Sequence, residues 1–260
     1  APEDFREARP PSTLVAGFSR VRGRCGPGEM GHRTPSGEEG RKTGAVETRI
    51  VLVRHGRTAW NLDYRYQGRS DVPCDEQGLE QTRRAVARLA GWRPEAVFTS
   101  PLRRARCLAE GLTDALGQEG PVVDPRLTEL DFGDWEGLTV QEIQERYKEA
   151  YSRWRLAPFD SSPPGGERAE EIEGRIEAFL REARLDRFAR CVVVGHGYCL
   201  RVLAALLLRA GRCGCVWRMR LDNGSLSAVD LWKEIPLLAF SNDTLHLHLP
   251  EDHPPLPLPR

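Results

Sequence analysis

Lysine is almost absent from this chain. Of 260 residues only Lys42, Lys148 and Lys233 carry an ammonium side chain, and the rest of the positive charge is arginine. Genomic base composition explains that bias as readily as chemistry does. An excess of either sign is missing too, because 38 basic residues balance 38 acidic ones. With no global field, nothing points to a nucleic acid or a membrane surface as partner. A transmembrane run is also lacking: the longest apolar stretch, Cys191 to Leu208, is interrupted by His196 and Arg201. The N-terminus is a poor match to a signal peptide, with Glu3, Asp4 and Arg6 ahead of a short apolar patch, Leu14 to Phe18. Paired cysteine spacing is missing as well. The seven cysteines are scattered, and Cys213-Gly-Cys215 is too close for the usual zinc pattern. These absences argue against a disulfide scaffold and favour a reducing, cytoplasmic setting.

What remains suits one sizeable domain with tails. Residues 1–47 are rich in Gly, Pro, Arg, Glu and Ser without a helical or strand period, and read as a disordered N-terminal extension. Residues 48–249 alternate strand and helix signals. Ile50 to Val53, Ala96 to Phe98, Val122-Val123, Cys191 to Val194, Ser225 to Leu231 and Thr244 to Leu249 read as strands. Glu76 to Leu89, Leu102 to Leu116, Val140 to Trp154, Ala169 to Ala183 and Tyr198 to Leu208 read as helices. Strands that are apolar on both faces, alternating with helices, predict a three-layer α/β/α sandwich with a mainly parallel central sheet. Residues 250–260 are proline-rich and read as a loose C-terminal tail.

Four segments carry chemistry. The first is Arg54-His55-Gly56 with Asn61, directly after an apolar strand. The second is Ser100-Pro101-Leu102-Arg103-Arg104-Ala105, where a strand runs into a helix. The third is Leu127-Thr128-Glu129-Leu130-Asp131-Phe132-Gly133-Asp134-Trp135-Glu136-Gly137. The fourth is Gly195-His196-Gly197, after the second all-apolar strand. In open α/β sheets, ligands bind beyond the carboxyl ends of the strands. Arginine offers a planar fork of donors for phosphate oxygens. A neutral imidazole nitrogen can carry a phosphoryl group.

With these four segments in this order, the chain resembles the histidine phosphatase superfamily, also called phosphoglycerate mutase-like, from about Ile50 to Leu249. Asp131 to Gly137 and Pro164-Gly165-Gly166-Glu167 resemble its alpha-ribazole phosphatase and broad-specificity phosphatase branch. The resemblance implies that His55 is the nucleophile that becomes phosphohistidine. It implies that Arg54 and Arg104 clamp the phosphoryl oxygens and that His196 contacts the transferring group. Glu129 would protonate the leaving oxygen, and Asn61 and Gly197 would help line the phosphate pocket. A protonated His196 with the two arginines would neutralise the phosphoryl charge without a metal or other cofactor. The substrate class implied is a small phosphorylated metabolite, and the resemblance also implies a homodimer.

Two positions depart from the family pattern. Arg57 stands where Glu or Gln is common, and Arg168 where Ser often follows Gly-Glu. If both face the pocket mouth, the rim is cationic and Arg57 binds a second anionic group of the substrate. Arg103, the neighbour of Arg104, reads as a surface or rim residue. Trp135 reads as core or pocket wall, and Glu136 as a secondary polar contact. His246, His248 and His253 could suggest a metal site, but the first two alternate on an apparent strand and the third lies in the tail. About thirty residues separate Gly137 from Gly166, too few for a closed lid over the site, which favours a phosphatase over a phosphoglycerate mutase. A non-catalytic phosphate-binding module is the third reading, and it predicts a missing catalytic group.

Overall fold

The computed structural model describes residues 47–210, 218–232, 235–250 and 253–259. The N-terminal extension, save Glu47, and the Cys213-Gly-Cys215 pair lie outside the described residues.

In chain order the elements are β1 (Thr48–Arg54), α1 (Ala59–Leu62), α2 (Glu76–Trp92), β2 (Ala96–Thr99), α3 (Arg103–Leu116), β3 (Val122–Val123), α4 (Val140–Arg146), α5 (Lys148–Leu156), α6 (Ala169–Ala183), β4 (Arg190–Gly195), α7 (Gly197–Leu207), β5 (Leu226–Trp232) and β6 (Ile235–Asp243). The strands form one sheet in the order β3-β2-β4-β1-β5-β6. The first four run parallel, while β5 is antiparallel to both β1 and β6. A parallel sheet is buried on both faces, and the strand residues divide accordingly. Ile50, Leu52, Phe98, Cys191 and Val193 face one core, with Trp135, Tyr151, Trp154, Phe179 and α7. Val51, Val53, Val97, Val192 and Val194 face a second, aliphatic core under α2 and α3. Side chains of period two, covered by helices on both faces, make the three layers.

Helix starts follow local chemistry. Asp75 caps α2 by accepting from the Gly78 N–H at 2.8 Å. Thr139 and Glu142 form a reciprocal capping box at the start of α4.

The structure corrects three expectations. The single helix over Val140 to Trp154 is two helices, broken at Tyr147 (φ −129°, ψ 31°). The break lets Ile143 of α4 and Tyr151 and Trp154 of α5 reach the same aromatic core. The strand expected over Thr244 to Leu249 is a short 3-10 turn, Leu245–Leu247, and the last strand is β6 before it. The alternation there is inverted: Leu245 is 55% exposed and His246 only 5%. His246 is stable inside because both ring nitrogens are used, Nδ1 at 3.1 Å from Arg88 Nη1 and Nε2 at 3.1 Å from Gly224 O.

Of the tail expected to be loose, residues 257–259 are packed. Leu258 is buried against the α2–α3 core, Pro257 O accepts from Arg88, and Pro259 O accepts from Arg49. Burying one leucine contributes about 1.5–3 kcal/mol. Ordering each residue costs about 1–2 kcal/mol, so an apolar plug alone would not hold the segment without the two arginine anchors.

Candidate active site

The two parallel strands β1 and β4 end side by side, with Arg54 opposite Gly195. The His55 N–H donates to Gly195 O (3.1 Å), and the Ser100 N–H donates to Val194 O (3.3 Å). Three strand ends therefore present His55, Ser100 and His196 at one carboxyl edge of the sheet, the place where open α/β sheets bind ligands.

His55 is buried, and its Nδ1 lies 2.7 Å from the carbonyl of Gly56. A carbonyl only accepts, so the proton sits on Nδ1 and Nε2 keeps its lone pair. The loop that does this needs glycine. A Cβ on Gly56 would stand 2.2 Å from Gly78 O, and one on Gly78 would stand 1.9 Å from Arg57 O. The start of α2 is thus pressed directly against the Arg-His-Gly backbone.

His196 is also buried, its ring centroid 5.2 Å from that of His55. Its Nε2 lies 2.7 Å from Ser100 Oγ, and its buried Nδ1 has no hydrogen-bond partner. Burial, then the charges of Arg104 and Arg54, hold His55 well below the usual imidazole range. Burial, then Arg104, His55 and Arg54, do the same to His196. This runs against the protonated His196 expected from the sequence: burial and the neighbouring cations favour the neutral ring.

Arg54 donates from Nη1 to Leu221 O at 2.6 Å. Arg104 is held at two points, by Ser70 O (2.7 Å) and Gly68 O (2.8 Å). The Nε of each arginine is buried and has no partner. Burial, then the charge of Arg201, pulls Arg54 down to about 10, and burial lowers Arg104 as well. Buried donors left unpaired are costly, and two cations sharing a dry site more so. An anion placed among them relieves both penalties.

Glu129 accepts from the N–H groups of Tyr198 (3.0 Å) and Cys199 (2.9 Å) at the start of α7, and from that of Leu130 (3.0 Å). A Cβ on Gly197 would stand 3.7 Å from both Glu129 Oε2 and Arg54 Nε, so the carboxylate and the arginine flank this glycine. The loop carrying Glu129 is clamped from behind. Arg175 forks onto Glu167 (2.7 and 2.9 Å) and donates to the carbonyls of Arg126, Thr128 and Glu129.

Asn61 accepts from the Thr58 N–H (3.1 Å) and from Asn223 Nδ2 (3.1 Å), and Asn223 also donates to His55 O (3.2 Å). The structure does not supply the cationic rim. Arg57 is paired with Asp75 at 2.7 Å, and Arg168 with Glu171 at 3.5 Å, so both charges are balanced locally. Arg103 is an exposed partner of Asp71, and Trp135 is fully buried in the aromatic core. Ser100, Asn223 and the Glu167–Arg175 pair were not singled out from the sequence. Ser100 and Glu167 stood inside quoted motifs, and the Asn223-Gly224 turn signal was the one available pointer to Asn223.

The profile of the histidine phosphatase superfamily (branch 1) matches residues 50–244. The chain belongs to this superfamily. It is 30% identical over 200 residues to phosphoserine phosphatase 1 of Hydrogenobacter thermophilus, covering 76% of this chain and 94% of that protein. It is 32% identical over 201 residues to a 2,3-bisphosphoglycerate-dependent phosphoglycerate mutase of a Methylobacterium strain, covering 74% and 91%. Among solved structures it is similar to the alpha-ribazole phosphatase from Shigella flexneri, with 28% identity, a TM-score of 0.68, and coverage of 75% of this chain and 96% of that one. Members of the superfamily are phosphatases or mutases, and like them this chain is an α/β fold, here with a mostly parallel six-stranded sheet. Among the described residues, no helix is long and apolar enough to cross a membrane.

Proposed function

We propose that this histidine phosphatase hydrolyses a small phosphomonoester through a phosphohistidine on His55, without a metal. The observation that carries the reading is the set of three buried donors without partners, Arg54 Nε, Arg104 Nε and His196 Nδ1, beside a histidine whose Nε2 is free to attack. A phosphoryl group satisfies all three donors at once. Ser100 Oγ accepts from the Leu102 N–H (3.3 Å), which leaves its own proton for His196 Nε2 and the ring proton on Nδ1, as a donor for a phosphoryl oxygen.

The reaction has two displacements. His55 Nε2 attacks phosphorus, the ester P–O bond breaks, and Glu129 gives its proton to the leaving oxygen. Water then attacks the phosphohistidine, Glu129 takes the proton, and inorganic phosphate leaves. The protein contributes position and charge neutralisation, which phosphoryl transfer mostly requires. The span between Gly137 and Gly166, about thirty residues holding α4 and α5, is short for a lid that would exclude water, and this favours hydrolysis over transfer. The relatives named for phosphoserine and alpha-ribazole support a small metabolite as substrate. The free thiols of Cys74, Cys107, Cys191 and Cys199 suit a reducing cytoplasm.

The test is phosphate release from a panel of phosphomonoesters in EDTA, with wild type and His55→Ala in parallel. Release by wild type that is lost in the variant is expected. Interconversion of 2- and 3-phosphoglycerate without release would replace hydrolysis by the mutase reaction. Release that survives His55→Ala would overturn the phosphohistidine.

A further inference from the structure

The acidic motif carries a second carboxylate, Glu136, that the two displacements do not use. Its oxygens are both occupied. Oε1 accepts from the Arg69 N–H (2.7 Å) and the Phe132 N–H (3.3 Å). Oε2 accepts from the Ser70 N–H (2.9 Å) and the Ser70 hydroxyl (2.5 Å). The same short loop presents the carbonyls of Gly68 and Ser70 to Arg104. The Gly68 carbonyl and the Arg69 N–H belong to one peptide unit. That unit is therefore gripped on one side by the Glu136 carboxylate and on the other by the Arg104 guanidinium.

We propose that Glu136 is a positioning residue for Arg104, acting through the peptide that joins Gly68 to Arg69. The proposal rests on the phosphoryl-site reading above. A guanidinium holds its plane only as firmly as the acceptors it binds. Carbonyls in a surface loop are weak anchors unless the loop is itself pinned. A carboxylate on the N–H side fixes the peptide plane and polarises it, so the carbonyl becomes a stronger acceptor. Two carbonyls set in this way orient the guanidinium and leave Arg104 Nε facing the phosphoryl group.

Glycine makes the approach possible. Gly68 has φ +52°, and a Cβ there would lie 1.8 Å from Glu136 Oε1. A side chain at position 68 would displace the carboxylate that grips the next amide. Arg54 has no such device in the described residues: one carbonyl, Leu221 O, holds it. The two clamping arginines thus differ in how firmly they are preset.

The experiment is calorimetric titration of the full chain with orthovanadate, a phosphoryl mimic. Glu136→Gln keeps the shape but loses the charge, and should bind vanadate about 5- to 30-fold more weakly. Gly68→Ala should weaken binding in the same direction, by pushing the Glu136 carboxylate off the Arg69 amide while keeping its charge. Ser70→Ala removes one hydroxyl contact but neither carbonyl, and should stay within about twofold of wild type. The coupling decides the matter. In an Arg104→Lys background, Glu136→Gln should cost less than about twofold, and in an Arg54→Lys background the full loss should persist. Equal losses in both backgrounds would mean general damage to the fold and would overturn the proposal, as would unchanged binding by Glu136→Gln and Gly68→Ala. Wild type that fails to bind vanadate at all would instead overturn the phosphoryl-site reading, and this proposal with it.

Discussion

The ends of β1 and β4 look alike in sequence and differ in what they do. Each strand is apolar, each ends in a histidine beside glycine, and the two lie next to each other in register. The difference is the partner of each ring. His55 meets a carbonyl, which can only accept, so its Nδ1 is protonated and its Nε2 keeps its lone pair. His196 meets the hydroxyl of Ser100, which can donate, and its other nitrogen is left buried without a partner. Opposite nitrogens of the two rings are thus left without a protein partner, and these are the two that the proposed reaction uses. Identical side chains acquire different roles from a single contact each.

The sharpest way to break this comparison is to remove one histidine at a time. His55→Ala should lower kcat at least about 10⁴-fold, because no other group can carry the phosphoryl. His196→Ala should cost only about 10²- to 10³-fold, the usual loss for one preorganised donor. Trapping the phosphoenzyme after a rapid acid-free quench separates the two. His196→Ala should still become labelled, slowly, and His55→Ala should not. Label in His55→Ala would reverse the assignment.

Ser100→Ala is the next smaller change. It leaves both rings in place but removes the contact that fixes the His196 proton. A loss of about tenfold in kcat/KM is expected, with thermal stability changed by less than about 1 kcal/mol. A loss as large as that of His196→Ala would mean that Ser100 touches substrate itself. The pH profile sharpens the comparison further. Both rings are held well below the ordinary imidazole range by burial and then by Arg104. The acid limb of kcat/KM should therefore lie below pH 6.5, and Arg104→Gln should move it to higher pH by removing a cation. A limb that stays at 6.5 in wild type would contradict the neutral pair.

Much of this was legible in the residues. Apolar tetrads such as Ile50 to Val53 and Cys191 to Val194 announce buried strands, and the chemistry sits at their ends. Ala169–Ala183 was read to its bounds. What failed shows the limit of pattern. Thr244 to Leu249 alternates polar and apolar residues perfectly, yet the turn buries His246 and exposes Leu245, because Arg88 and Gly224 O offer that imidazole better partners than water does. The break at Tyr147 has no glycine or proline to mark it. Arg57 reads as a rim cation because nothing local shows that Asp75 would take it, whereas the i,i+3 spacing of Arg168 and Glu171 is a local signal for the pair that forms. The hubs behind the site, Glu136 and the Glu167–Arg175 pair, act on backbone carbonyls and amides, groups that every residue has and no motif distinguishes.

The last comparison concerns stability rather than rate, and it sets the two active-site rings beside His246. Burial and then Arg88 lower His246 to about 4. All three rings are neutral in the folded chain at pH values where an unfolded histidine, with its ordinary value near 6.5, already binds a proton. The unfolded state then holds more protons, so stability falls as pH falls. The contribution is fully present above about pH 6.5 and drains away below it, for His246 until about pH 4. His246 alone accounts for on the order of 3 kcal/mol across that window. Thermal unfolding between pH 8 and pH 4 should show a steep decline for wild type and shallower ones for His246→Gln and His196→Gln. The glutamines offer a donor and an acceptor but do not titrate, so any cost they bring should be the same at every pH. If wild type and both variants fall in parallel, the acid sensitivity comes from carboxylates, and the buried neutral rings have no share in it.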